Sequence, residues 1–332
     1  MSGMNAWPGV PGDGLVVGAY ALFAGLPDDE LAGAYRALDE LPEVAAIEMP
    51  LAEATGGRPA LGGARAGLPD AIAERWAVVV TAIPTVMGRL GQDPRYGLAS
   101  PDEDGRLAAV ADIKTALGLA RDVAEAGLGR RVSAIHLHSA PRSPVAEPGA
   151  LEKSLTELLD VNTTGTLLTI EHCDARRPGW TPEKGFLEIE QELGVLTGLA
   201  DKRLGLTVNW GRSAIEGHSA VTPLDHIGLA AGAGLLAGLM FSGAAEAAGP
   251  WGGPWQDGHI APRGAGTSPD AWRESLLGPE EINAAIAAAA GGAAYLGLKV
   301  TTGAPGTSVG ERLVVARRTI AMLLDGAAAA TS

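Results

Sequence analysis

The sequence predicts a closed α/β barrel of the (β/α)8 class, one parallel sheet of eight strands with a helix after each. Three observations carry this. Short apolar runs alternate with longer helical patterns along the whole of the 332 residues. The connections lack hairpin turn signals, so successive strands run parallel. Each candidate strand also carries a polar residue on one face at or near its C-terminal end, where barrels of this kind build their sites. A doubly wound open sheet is the rival, but no GxGxxG follows the first strand.

Alternation along a strand sends one side chain to the helices and the next to the barrel interior. The first strand, "LVVGAY" at 15–20, turns Val17 and Ala19 outward and Gly18 and Tyr20 inward. A helix over 28–41 follows, started by Pro27-Asp28. The second strand, "VAAIE" at 44–48, turns Glu48 inward, and a helix is expected at 69–75. The third, "WAVVVTA" at 76–82, turns Thr81 inward and precedes a helix over 103–128. The fourth, "VSAIHLH" at 132–138, puts His136 and His138 on the inner face, with a helix at 150–161. The fifth, 166–171, places Glu171 inward and His172 outward, ahead of a helix at 182–203. The sixth, 205–210, turns Asn209 inward and Trp210 outward, and a helix follows at 223–234. The seventh, 236–242, offers Ser242 and precedes a helix at 279–291. The eighth, 294–300, offers Lys299, and a helix at 308–325 starts from Ser308. Two long connections, 50–68 and 243–272, both follow strands and therefore sit over the mouth. The chain is read as one domain over 1–332, with 1–13 and 327–332 as flexible ends.

Composition narrows the partners. Hydrophobic residues make up 46% and aromatics only 4%, so Ala, Leu, Val and Gly fill the core. Acidic residues outnumber basic ones 39 to 25, a formal charge of −14. That balance repels phosphate backbones and anionic lipid, so neither nucleic acid nor a membrane is an expected partner. The single Cys173 allows no intrachain disulfide and fits a reducing compartment. "MSGMNAWPGVPGDG" lacks a basic stretch followed by an apolar one, and no apolar run reaches about 18 residues. A cytoplasmic protein, with homo-oligomerisation left open, is the expectation.

"AIEMP", "AIHLHSAP", "TIEHCDA" and "VNWGRSAIEGH" at strands two, four, five and six resemble the xylose isomerase-like TIM-barrel superfamily of sugar isomerases and epimerases. "GLASPDEDGR", "HSAP", "EHCDA" and "WQDGH" together resemble a branch known only as a domain of unknown function. The resemblance implies a divalent metal held by Glu, Asp, His and Glu on strands five to eight. Here those positions carry Glu171, Asn209, Ser242 and Lys299, so only the first matches. A relocated site for Mn, Zn, Fe or Mg could use Glu171, His138, Asp257 and His259, since imidazole and carboxylate suit such ions.

The candidate catalytic residues are Glu171, Glu48, His138 and Lys299. Glu171 is read as a general base or metal ligand, against a structural pair with Lys299 or a histidine. Glu48 is read as a second carboxylate, and Lys299 as a fixed cation or a Schiff-base amine. Candidate substrate contacts are Tyr20, His136, Asn209, Arg212, Trp255, Asp257 and His259. The tryptophans of "GPWGGPWQDGHIAP" suit stacking on a sugar ring within a lid. Arg212 and Arg263 suit a carboxylate, phosphate or sulfonate, with surface Arg as the plain alternative. His172 and Cys173 are read as packed structure. The expected substrate is a small carbohydrate, and the expected reaction is isomerisation or epimerisation by proton abstraction beside a carbonyl. A keto-sugar lyase, a Schiff-base aldolase using Lys299 and a non-catalytic carbohydrate-binding barrel stay open as alternatives.

Overall fold

The computed structural model describes residues 14–56, 61, 64–65, 68–127, 132–268, 270–302 and 306–330. The chain order begins β1 (Leu15–Gly18), α1 (Ala19–Leu22), α2 (Asp28–Asp39), β2 (Val44–Pro50), α3 (Leu51–Ala54), β3 (Ala64–Arg65) and β4 (Leu68–Pro69). It continues with β5 (Ala77–Thr81), α4 (Ile83–Leu90), α5 (Glu103–Glu125), β6 (Val132–Leu137), α6 (Pro148–Val161), β7 (Leu167–His172) and α7 (Ile189–Leu199). It closes with β8 (Leu204–Asn209), α8 (Trp210–Gly217), α9 (Thr222–Gly232), β9 (Leu236–Phe241), α10 (Pro279–Ala288), β10 (Tyr295–Leu298) and α11 (Val309–Ala330). Eight strands close into a parallel barrel in the order β1-β10-β9-β8-β7-β6-β5-β2, as expected from the alternation.

Aliphatic and β-branched residues form these strands because both faces of a barrel wall are covered. Val17, Ile47, Val78, Ile135, Leu168 and Val208 are buried against the helices. A smaller apolar plug of Val16, Ala46, Val79, Ala134, Leu167, Met240 and Tyr295 fills the barrel floor. Tyr295 fits only because its neighbour is Gly238, where a Cβ would stand 2.2 Å from the ring. Polar residues sit above this plug, so the apolar floor leaves the upper interior for chemistry. A few helix starts are capped by side chains. Asp102 accepts from the Gly105 N–H at α5, and Glu188 and Gln191 form a reciprocal box at α7.

Several expectations are corrected. Residues 69–75 form no helix; β4 and a turn lead straight into β5. With Pro69 ending a strand and Leu68 and Ile72 buried, this segment serves as a packed connection. β3 and β4 pair antiparallel inside the 50–68 connection, an addition of one short ribbon to a parallel fold. Trp210 does not continue its strand. Asn209 ends β8 and its Oδ1 accepts from the Arg212 N–H at 3.3 Å, capping α8. The 182–203 helix shortens to Ile189–Leu199, and α11 runs on to Ala330, through residues expected to belong to the tail. Among the described residues, no helix is long and apolar enough to cross a membrane.

Candidate active site

Glu48 on β2, His136 on β6, Glu171 on β7 and Asn209 on β8 all point into the upper barrel, and Lys299 follows β10. All five are fully buried, and they touch one another. Glu171 is the hub. Its Oε1 accepts from Asn209 Nδ2 at 3.0 Å and Lys299 Nζ at 3.2 Å. Its Oε2 lies 3.3 Å from His138 Nε2, 3.3 Å from Lys299 Nζ and 2.8 Å from Arg212 Nη1. Lys299 also donates to Glu48 Oε1 at 3.0 Å, so one ammonium bridges two carboxylates. His136 Nδ1 lies 3.1 Å from Glu48 Oε1, and its Nε2 lies 2.8 Å from the Tyr295 hydroxyl. That hydroxyl continues to Thr207 at 2.6 Å, and Thr207 to Thr169 at 2.8 Å. Ser242 donates to Asn209 Oδ1 at 2.8 Å, and the Tyr20 ring sits 5.4 Å from the Lys299 ammonium.

These contacts set the charges. Burial alone would raise the Glu171 carboxyl, but Arg212 and Lys299 hold it well below the usual carboxylate range. Burial likewise opposes ionisation of Glu48, and Lys299 reverses that, so its pKa is lowered. Burial would neutralise Lys299, yet Glu171 and Glu48 push its pKa up and keep it an ammonium. His138 goes the other way: burial outweighs Glu171 and lowers it to about 4, leaving a neutral ring. With Nε2 donating to Glu171, its Nδ1 is an acceptor. That Nδ1, Glu48 Oε2 and the Tyr20 hydroxyl are buried and make no hydrogen bond among the described residues.

The connection after β9 closes over this cluster. Asp257 Oδ2 accepts from Arg212 Nε at 3.0 Å and lies 3.2 Å from Lys184 Nζ. Its Oδ1 lies 3.1 Å from His259 Nδ1. Trp255 stacks on His218 at 4.4 Å, and His218 on Trp180 at 4.1 Å. His218, Trp255 and His259 take φ of 47°, 55° and 48°, left-handed backbone that costs a non-glycine residue roughly 1–3 kcal/mol. Trp255 and His259 lie in this connection, and His218 ends α8 as its left-handed cap.

Of the residues singled out in the sequence, Tyr20, Glu48, His136, His138, Glu171, Asn209, Arg212 and Lys299 meet in one network. Asp257 joins it through Arg212 and His259 through Asp257, whereas the ring contact of Trp255 is with His218. Arg263 binds the Ser275 and Leu276 carbonyls and Glu281, away from the network. Reading the sequence missed Lys184, Trp180, His218 and Tyr295. Tyr295 was within reach, since it shares the inward face of its strand with Lys299.

Outside the wall, His172 sits between Glu192 at 2.7 Å and Glu216 at 3.0 Å, with His226 3.5 Å from Glu216. Burial opposes its charge, but Glu192 and Glu216 raise it to about 10, so it is an imidazolium. Cys173 is buried and its thiol is pushed up by that burial.

Among the described residues, two buried groups have the donor composition of a metal site: Glu48, His136 and Glu171 inside the barrel, and His172, Glu216 and His226 outside it. Inside, the Lys299 ammonium stands within 3.3 Å of both carboxylates, where a divalent ion would have to sit. Asn209 and Ser242 are already spent on Glu171 and on each other. The relocated set is split, because the Arg212 guanidinium lies between Glu171 and Asp257. The interior donors therefore do not fit a divalent cation beside a charged Lys299.

Known proteins place this architecture. The model of a domain of unknown function, DUF4862, matches residues 16–315. The uncharacterized protein STM3670 of Salmonella typhimurium is 34% identical over 253 residues, covering 74% of this chain and 77% of that protein. Among solved structures, the IolI protein with a bound zinc atom superposes with a TM-score of 0.59 at 11% identity, over 94% of this chain and 98% of that one. The 3-keto-D-glucoside 4-epimerase YcjR of E. coli gives 0.55 at 14% identity, over 89% and 95%. An L-ribulose 3-epimerase gives 0.55 at 12%, over 96% and 95%. At such identities these likenesses concern the fold, a (β/α)8 barrel, while the matched model spans most of the chain: it belongs to the DUF4862 family.

Proposed function

We propose that this protein is a sugar isomerase or epimerase that moves a proton at a carbon beside a carbonyl, with Lys299 supplying the positive charge. The observation that carries this is the ammonium held between two buried carboxylates, one of which keeps a free oxygen. Four donors saturate Glu171, which makes it a weak base and a good anchor for Lys299 and Arg212. Glu48 uses only Oε1, so its Oε2 is the better base. In the step, Glu48 Oε2 takes the proton from carbon. The C–H electron pair becomes the C=C bond of an enediolate, and the carbonyl oxygen becomes an oxyanion facing Lys299. Return of the proton to the former carbonyl carbon, with the hydroxyl proton of the adjacent oxygen passing to the oxyanion, gives isomerisation; donation of a proton to the original carbon by a second acid on the opposite face gives epimerisation. His138 Nδ1 and the Tyr20 hydroxyl, buried and unpaired among the described residues, would hold substrate hydroxyls. The names of the structural neighbours, an L-ribulose 3-epimerase and a 3-keto-D-glucoside 4-epimerase, support a carbohydrate substrate.

Schiff-base chemistry fits less well, because it needs a neutral amine and both carboxylates keep Lys299 charged. The test is proton NMR in D2O with a panel of aldoses, ketoses and keto-glycosides. Deuterium should wash into one carbon-bound position, and Glu48→Gln should lower that rate by at least 100-fold. Binding without any wash-in would make the protein a carbohydrate-binding barrel instead.

A further inference from the structure

A cavity of about 340 Å³ lies beside the mouth, lined by Trp251, Thr267 and Trp272 of the long connection, Thr302 after β10, and Glu311 and Val315 of α11. We infer that it is a second saccharide subsite, so that the substrate is a glycoside with one ring in the barrel and another here. This rests on the carbohydrate reading above and extends it to substrate length.

Its volume is in the range of small-ligand sites, roughly 300–1,000 Å³. Trp251 and Trp272 face it with ring centroids 6.1 Å apart and planes inclined at 49°. An angled pair of indoles suits the C–H faces of a sugar ring. The placement of Trp251 is enforced by glycines. A Cβ on Gly249 would meet its ring at 2.4 Å, and one on Gly258 its carbonyl at 2.4 Å. Gly249 and Gly252 exchange backbone hydrogen bonds at 2.9 and 3.0 Å, closing the turn that carries it. Trp272 takes φ of 62°, strained for a tryptophan.

The polar chemistry also suits a sugar. Among the described residues, the Trp251 indole N–H and the Thr302 hydroxyl are buried without a hydrogen-bond partner. Unpaired buried donors are costly in a folded protein, and ligand hydroxyls would satisfy both. An anion is disfavoured. Glu311 lines the cavity, and its carboxylate already takes the Ser308 N–H and hydroxyl at the start of α11. The cavity is also coupled to the mouth by the chain itself. Thr302 lies just past Lys299, and the Thr301 N–H binds the His259 carbonyl at 2.8 Å. The same connection carries Trp251 and the Asp257 that pairs with Arg212.

The test is calorimetric binding of the full chain to glucose, methyl β-glucoside, cellobiose, maltose, lactose and trehalose. At least one disaccharide should bind ten times or more tighter than the single-ring sugars. Trp251→Ala and the milder Thr302→Val should each remove most of that advantage, and leave single-ring binding unchanged within twofold. No disaccharide preference across the panel, or an unaltered preference in both folded variants, overturns the inference. Because binding is read rather than turnover, failure of the wash-in experiment and failure of this one are separate results.

Discussion

Replacing Lys299 by Met keeps the stem and removes the charge that two buried carboxylates share. Glu48 Oε1 and Glu171 Oε1 each lie within 3.2 Å of Nζ, so the two oxygens are about 6 Å apart at most. With the ammonium gone, their repulsion at an effective dielectric constant near 20 is about 3 kcal/mol. Breaking a buried pair by deleting one partner typically costs about 3–5 kcal/mol, the same order. Urea unfolding at pH 7 should therefore show Lys299→Met less stable by roughly 3–5 kcal/mol. The pH dependence has a definite sign. In the parent both carboxyls are lowered, so their contribution is present above about 4.5 and fades as pH falls through the folded values. In the variant one carboxyl is raised, so its penalty is relieved as pH falls. The gap should narrow between pH 7 and pH 5, and adding Glu48→Gln should recover much of the loss at pH 7. A variant as stable as the parent at pH 7, or a gap indifferent to pH, would show that the ammonium does not hold this pair together.

Three more outcomes follow from the same geometry. His172, raised from 6.5 to about 10, lends stability that is complete below pH 6.5 and lost as pH climbs through 10; denaturant melts should show a decline on the order of 5 kcal/mol at most, absent in His172→Asn. Gly238→Ala puts a methyl into the Tyr295 ring, so thermal unfolding should reveal a loss of about 1–3 kcal/mol, partly restored by Tyr295→Leu. If Lys299 supplies the charge, the wash-in rate should be unchanged after dialysis against EDTA, and a rate lost to EDTA and restored by Mn or Zn would refute its role.

The barrel was legible because its physics is local. Runs such as "AVVVT" are apolar on both faces over most of their length, which a covered parallel strand requires, and all eight lie within two residues of their expected positions at either end. Alternation then placed Glu48, His136, Glu171, Asn209 and Lys299 on one side of the wall. The short helices α1, α3, α4 and α8 were missed because they continue straight from strands, with too few turns to show a period. Lys184 was illegible for another reason: it stands in an irregular loop, and only tertiary closure brings it to Asp257. Which carboxylate keeps a free oxygen was equally hidden, since it depends on Arg212 turning back from α8 toward Glu171.

Tethering the central cation to the backbone has a consequence for how the protein comes into being. A borrowed ion must be acquired after folding and can be stripped away or swapped for the wrong element. An amine on a lysine stem arrives with translation, in fixed stoichiometry, and cannot be lost. The interior of this barrel is thus furnished with its positive charge whatever the mineral supply of the cell.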